Sequence, residues 1–163
     1  MKFSEAWRRA NSVTGRLVEE EGRLLFDSVK KTNKDDLIIE LGTLYGHTAL
    51  LMAQTGRHVL SIDIAPRVEK IDGVELVVGE STEVAEEFDD IDFLFVDADH
   101  EYESVKKDIK AWLPKVKVGG KILFHDYESW PGVTKAVNEA IEDGLLEKGE
   151  QAKSLLCTTK LQS

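Results

Sequence analysis

Acidic residues recur in this chain at one kind of position, the end of a short apolar, β-rich run. Leu37–Leu41 carries Glu40 and runs into Gly42, and His58–Ile62 runs into Asp63. Val74–Val78 is followed by Gly79-Glu80-Ser81, Ile91–Val96 by Asp97-Ala98-Asp99-His100, and Lys121–Phe124 by His125-Asp126-Tyr127. Random polar loops would supply an occasional acid, not one at each tip. Ligands of open α/β sheets bind beyond the carboxyl ends of the strands, so these tips are read together as one candidate site.

The first two tips select a class of ligand. Glu40, Gly42 and Gly46 form the pattern E-x-G-x-x-x-G, with Thr43 inside the turn and a helical pattern opening at Gly46. Glycines are needed where a strand turns sharply into a helix and the backbone must approach a ligand. Asp63, with Ile64 after it, ends the next strand, where an acid suits two ribose hydroxyls. A pyrophosphate needs the closer G-x-G-x-x-G pattern at a helix N-terminus, which is absent, and Glu40 would repel phosphate. S-adenosylmethionine carries a sulfonium and an ammonium and no phosphate, so it fits this charge. The alternative is an ordinary βαβ turn with no ligand.

Asp97 and Asp126 stand at the tips of central strands, and neighbouring strands lie about 4.8 Å apart. Two carboxylates that close repel unless a cation or a proton sits between them. Hard oxygen ligands suit Mg²⁺, Mn²⁺ or Ca²⁺, and the nitrogens of His125 and His100 would favour Mn²⁺ or another transition metal. The alternative is that Asp97 only accepts hydrogen bonds from backbone amides or the cofactor while Asp126 caps a turn.

The elements that must carry these tips alternate. Leu17 to Val29 has the periodicity of an amphipathic helix, with Leu17, Leu24, Leu25 and Val29 on one side. Glu101–Leu113 repeats it with Val105, Ile109, Trp112 and Leu113, and Pro114 closes that helix. Gly119-Gly120 reads as the turn into the fifth strand, and Pro131 as the start of a helix that Gly144 ends. Leu145–Glu150 and Leu155–Thr159 are expected as short strands six and seven. Continuously apolar strands alternating with amphipathic helices imply a parallel sheet covered on both faces, an α/β, doubly wound, Rossmann-like fold. Ala65–Gly73 is short for a crossover helix and is expected to be a turn. Trp112 is expected in the core and Trp130 as a pocket wall. Residues 1–14, with Trp7, are a candidate lid.

Composition narrows the function classes. At 163 residues the chain is expected to form one domain, with 1–31 as an N-terminal helical segment or lid and 37–163 as the core. The net charge of −10 argues against a grip on nucleic acid or anionic lipid. No stretch approaches the about 20 apolar residues of a membrane span, and MKFSEAWRRA has no signal-peptide core. Cys157 is the only cysteine, which excludes an intrachain disulfide and points to a reducing, cytoplasmic compartment. Oligomeric state is left open, a homo-oligomer included.

With these tips in view, the segment IDFLFVDADHEYESVKKDIKAWLPKVKVGGKILFHDYESWPGVTKAVNEAI resembles a small family of class I S-adenosylmethionine-dependent methyltransferases. That family carries D-x-D-H-x-Y at the fourth strand tip and H-D-Y or a relative at the fifth. It is kin to the metal-dependent catechol and caffeoyl-coenzyme A O-methyltransferases, the methyltransferases of macrolide sugars and the cephalosporin-hydroxylase-like proteins. The resemblance covers about Gly15 to Gly144 and implies strand order 3-2-1-4-5-7-6 with the last hairpin strand antiparallel. It implies that Glu40, Gly42 and Gly46 line the methionine end of the cofactor, that Asp63 holds the ribose, and that Gly79-Glu80-Ser81 flanks the adenine. Asp97 and Asp126 match the metal-binding aspartates; the family's asparagine ligand is Tyr127 here, and His125 or waters are expected to complete the shell. His100 stands near the family's lysine base, and an imidazole with pKa near ~6.5 suits proton abstraction.

The resulting expectation is methylation of a small-molecule hydroxyl, assisted by a divalent cation. The alternatives are a metal-independent methyltransferase on another acceptor class, a non-catalytic S-adenosylmethionine-binding protein of the same fold, and a nicotinamide enzyme. The missing G-x-G-x-x-G disfavours the last of these.

Overall fold

A computed structural model describes residues 1–162. The strands are β1 (Ile38–Leu41), β2 (Val59–Asp63), β3 (Val74–Val78), β4 (Ile91–Val96), β5 (Val116–Phe124), β6 (Leu146–Ala152) and β7 (Leu155–Lys160). They form one sheet in the order β3-β2-β1-β4-β5-β7-β6. The first five are parallel, and β7 pairs antiparallel with both β5 and β6. β1 is the middle one of the five parallel strands, as a doubly wound sheet requires.

Successive side chains of a strand point to opposite faces, and this divides the core in two. Ile39, Leu41, Leu60, Ile62, Leu94, Ile122 and Phe124 face one way. They are covered by Val84 of the short α4 (Ser81–Val84), Val105 and Trp112 of α5 (Tyr102–Trp112) and Val133 and Val137 of α6 (Pro131–Glu142). Ile38, Val59, Phe93, Phe95 and Leu123 face the other way. There they meet Phe3 and Ala6 of α1 (Phe3–Ala10), Leu25 and Phe26 of α2 (Glu19–Lys30), and Leu51 and Met52 of α3 (His47–Ala53). Trp112 is fully buried, as its spacing required. Ala65–Gly73 contains no helix, so the second crossover is a turn.

The register of the sheet levels the tips. Leu41 is paired with both Ile62 and Val96, and Val96 with Phe124. Gly42, Asp63, Asp97 and His125 therefore follow the last paired residues side by side. The amide of Asp97 donates to Leu41 O (2.9 Å) and that of His125 to Val96 O (3.1 Å), which carries the ladder to the edge of the site.

One boundary differs from the sequence expectation. β5 begins at Val116, and Gly119-Gly120 lies inside it as an irregularity, not before it as a turn. Ile91 pairs with Val116 but Phe93 with Lys121, so extra residues of β5 bulge opposite Asp92. Gly119 supplies the positive φ this needs, +83°, and Lys117 Nζ reaches Asp92 Oδ1 at 2.7 Å across the bulge.

Candidate active site

Gly42 makes the first turn. Its φ is +95°, and a Cβ there would lie 2.2 Å from the carbonyl oxygen of Asp97. Only glycine lets the β1 and β4 tips approach this closely. The turn is then held from β2. Asp63 Oδ2 accepts the amides of Thr43 and Leu44, both at 2.9 Å, and Oδ1 accepts the amide of Ala65 at 2.8 Å. A carboxylate has about four acceptor positions, so Asp63 keeps capacity for a ligand while it shapes the loop.

Two cavities open on this turn and share Gly42, Asp63 and Ala98 in their walls. The first, about 380 Å³, lies over β2 and β3 and is lined by Ile64, Gly79 and Ser81 among others. The second, about 870 Å³, lies over β1, β4 and β5 and includes Thr43, Asp97, His100, His125, Asp126 and Trp130. The tips named from the sequence are thus brought together, with two exceptions. Gly46 caps α3 in the left-handed region and packs on Ile71, away from either cavity.

Glu40 is the second exception. It is fully buried, and its carboxyl receives the hydroxyls of Thr48 and Ser61, with Thr43 Oγ1 2.6 Å from Ser61 Oγ. Burial pushes its pKa up to about 8, against the opposing effect of the two hydroxyl bonds. Fully buried and in the wall of neither cavity, Glu40 ties Thr48 and Ser61 together beneath the loop in this structure.

At the β4 and β5 tips the acids meet two histidines. Asp126 adopts a positive φ of 60°, a conformation Asp tolerates better than most side chains, and the amides of Ser129 and Trp130 bond back to its carbonyl. His100 Nε2 lies 2.7 Å from Asp126 Oδ2. Trp130 stacks on the His100 ring with centroids 4.7 Å apart and remains 47% exposed, a wall of the second cavity. One donor atom each from Asp97, His100 and Asp126 lies within 4.8 Å of the others, an arrangement that fits a small divalent cation.

The histidine expected as the third ligand stands differently. His125 is buried, with Nδ1 3.1 Å from Asp97 Oδ1 and 3.3 Å from Asp126 Oδ2, and Nε2 3.5 Å from Glu21 Oε2. Burial disfavours its charge, but the facing carboxylates outweigh burial and raise its pKa to about 10. The grouping with ligand geometry contains His100 in place of His125. Burial lifts the Asp97 carboxyl above the usual range against the pull of His125, whereas the two histidines overcome burial and hold Asp126 below it. Tyr127 turns into the core, where its hydroxyl donates to Asn138 Oδ1 at 2.8 Å.

The N-terminal segment contributes residues that sequence reasoning missed. α1 is docked on α2 and α3, and the linker Thr14–Val18 lines the second cavity together with Glu21. Glu21 is buried and accepts the amide and hydroxyl of Ser154 at 3.0 and 2.7 Å. A signal existed: Glu21 stands four residues after Leu17 and three before Leu24, an acid on the apolar stripe of α2. Asp108 on α5 is a second such acid, buried beside Val105 and Trp112.

A family model described as a methyltransferase domain matches residues 39–127, more than half of the chain. The chain belongs to this methyltransferase-domain family. Similar solved structures include the O-methyltransferase NovP, 16% identical with TM-score 0.69, covering 88% of this chain and 81% of that one. The MycE methyltransferase of the mycinamycin pathway, in complex with Mg, S-adenosylhomocysteine and mycinamycin VI, is 16% identical with TM-score 0.72, over 99% of this chain and 55% of its own. A Podospora anserina methyltransferase bound to S-adenosylhomocysteine is 15% identical with TM-score 0.72, over 99% and 88%. An uncharacterised protein of Acanthamoeba polyphaga mimivirus is 41% identical over 56 residues, which is 32% of this chain and a quarter of that protein. Methyltransferase-family membership and the shared seven-stranded order agree with the class I fold.

Proposed function

We propose that the chain is an S-adenosylmethionine-dependent methyltransferase that acts on a hydroxyl of a small molecule, assisted by a divalent cation. The observation that carries this reading is the meeting of two cavities at Gly42, Asp63 and Ala98, with Asp97, His100 and Asp126 just inside the larger one. NovP is an O-methyltransferase and MycE is in complex with Mg and S-adenosylhomocysteine, which supports both parts.

Asp63 would accept the ribose hydroxyls at the boundary of the cavities, with Ile64, Gly79 and Ser81 around the base in the smaller one. Gly42 and Thr43 would carry the methionine end toward Asp97. S-adenosylmethionine supplies a methyl group on a sulfonium, and its transfer is an in-line displacement for which the protein provides orientation. Asp97, His100 and Asp126 would hold the cation, whose charge lowers the pKa of an acceptor hydroxyl. Trp130 would wall a flat acceptor. We place the protein in the cytoplasm on its single buried cysteine, and treat residues 1–31 as part of the same domain, since their apolar faces fill one side of the core. No helix among the described residues is long and apolar enough to cross a membrane.

A second reading has its own observation. His125 Nδ1 lies between Asp97 Oδ1 and Asp126 Oδ2, at 3.1 and 3.3 Å, and His100 is paired with Asp126 at 2.7 Å. In this metal-independent form His100 is the base and Asp126 orients it. Turnover on catechol-like and sugar acceptors, with Mg²⁺ or Mn²⁺ and then with chelator, separates the two: abolished turnover in chelator supports the metal, and full turnover supports the histidine pair.

A further inference from the structure

A groove of about 360 Å³ lies between α5 and α6, toward the end of the sheet opposite the strand tips. Its walls are apolar, with Ile109 and Leu113 on one side, Ala136 and Ala140 on the other, and Pro114 and Leu145 closing it. Lys160, the last residue of β7, is the one buried polar residue of its lining, only 4% exposed. Lysine is rarely buried this deeply unless it is paired. Here Nζ donates to two backbone carbonyls, Val116 O at 2.6 Å and Pro114 O at 3.3 Å. These bonds account for its position and leave its charge without a counter-ion. An ammonium has three donors, and the third meets no acceptor among the described residues. Burial pulls the ammonium below the usual lysine pKa range, and no neighbouring carboxylate opposes that pull. The acids of the groove stand at its rim. Glu139 is engaged by Lys106 Nζ and by the Tyr102 hydroxyl, both at 2.8 Å. Lys106, Lys110 and Lys160 outnumber Glu139 and Asp143 along the lining, on a chain whose net charge is −10.

We propose that this groove binds a small monocarboxylate with an apolar body, its carboxylate on Lys160 and its hydrocarbon between α5 and α6. A carboxylate supplies both the third acceptor and the counter-charge that two neutral carbonyls do not. The volume falls at the lower end of small-molecule sites, which suits a short aliphatic chain or a single ring. Burial of that hydrocarbon against Ile109, Leu113, Ala136, Ala140 and Leu145 adds the apolar contribution. Lys160 bonds to Val116 at the start of β5, whereas Asp126 follows the end of that strand. The groove is therefore separate from the candidate active site, and its ligand does not depend on the methyl-transfer reading.

The test is titration of the isotope-labelled full chain with octanoate and with its neutral counterpart octanamide, followed by the methyl NMR signals of Ile109, Leu113 and Leu145. Octanoate should shift these signals saturably and bind roughly ten- to a hundredfold more tightly than octanamide, the value of one hydrogen bond to a charged group. In Lys160→Met that preference should vanish while the apolar walls remain. A lysine that only ties down the two carbonyls would give no saturable shift at the groove in the wild type, and that result overturns the proposal. Equal binding of the two ligands, shifts confined to the strand tips, or an unaltered preference in Lys160→Met also overturns it. Groove signals that move with protein concentration alone would assign the surface to a second copy of the chain, against the proposal. If Lys160→Met does not fold, the wild-type comparison of octanoate with octanamide decides.

Discussion

Individual side chains divide the labour at the strand tips. Asp63 holds three backbone amides as well as facing both cavities, so Asp63→Ala should lose ribose contacts and loop order together. With two bonds to a charged acceptor at about 1.5–3 kcal/mol each, affinity for S-adenosylhomocysteine should fall about a hundredfold or more, measurable by calorimetry. Asp126→Asn should lower turnover and Mn²⁺ affinity together, because the site loses a ligand charge. His100→Ala distinguishes the two catalytic readings. It weakens Mn²⁺ binding if His100 is a ligand, and it spares ion binding but slows turnover if His100 is a base. Glu40 predicts a pH effect. Its folded pKa of about 8 lies above the ordinary carboxyl value of 4.5, so the fold favours the protonated form. Its contribution is full below pH 4.5 and is lost progressively as pH rises toward 8. The stability difference between Glu40→Gln and wild type should therefore shift in favour of the variant across that window, read from thermal melts at each pH.

At the level of elements, α2 reaches into the site through Glu21. Its carboxylate joins the amide of Val18, the turn at Ser154 and the ring of His125. Glu21→Ala would leave a buried imidazolium short of a partner and two backbone amides unpaired. A loss of about 3 kcal/mol or more is expected in denaturant titration, with reduced turnover because His125 loses one of its facing carboxylates. β1, β2 and β4 and their tips were legible in the sequence as largely apolar runs with a polar end, whereas β6, LEKGEQA, carries no such pattern and was placed through the family resemblance. Trp112 and Trp130 were legible from helical spacing and from Pro131. The bulge of β5 was not, since Gly119-Gly120 is equally the mark of a turn and only the pairing of Phe93 with Lys121 decides. The grouping of His100, and not His125, with the two aspartates was hidden for a related reason. Both histidines adjoin an aspartate in sequence, and the partner that engages His125 from behind, Glu21, comes from a helix more than a hundred residues away. Asp108 and Glu21 were overlooked because a lone acid on an amphipathic helix reads as solvated until the packing of that helix is known.

Across the whole molecule, two apolar layers clamp a sheet that carries a polar edge along the line of parallel-strand tips. The strand order 3-2-1-4-5-7-6 places β1 and β4 at its centre, where neighbouring crossovers depart to opposite faces and leave a crevice. The acidic balance of the chain, −10 overall, agrees with a cationic rather than a phosphate-bearing cofactor in that crevice. Saturating ligand should stabilise the entire domain. At a hundredfold excess over its dissociation constant, S-adenosylhomocysteine should add about 2.7 kcal/mol, seen as a rise of several degrees in Tm. The most direct measurement is calorimetric titration of the wild-type protein and Asp63→Ala with S-adenosylhomocysteine, set beside NAD. Saturable binding of S-adenosylhomocysteine to the wild type, sharply weakened in Asp63→Ala and with no comparable heat from NAD, is the predicted result. No binding by the wild type, unchanged affinity in the variant, or a preference for NAD would contradict it.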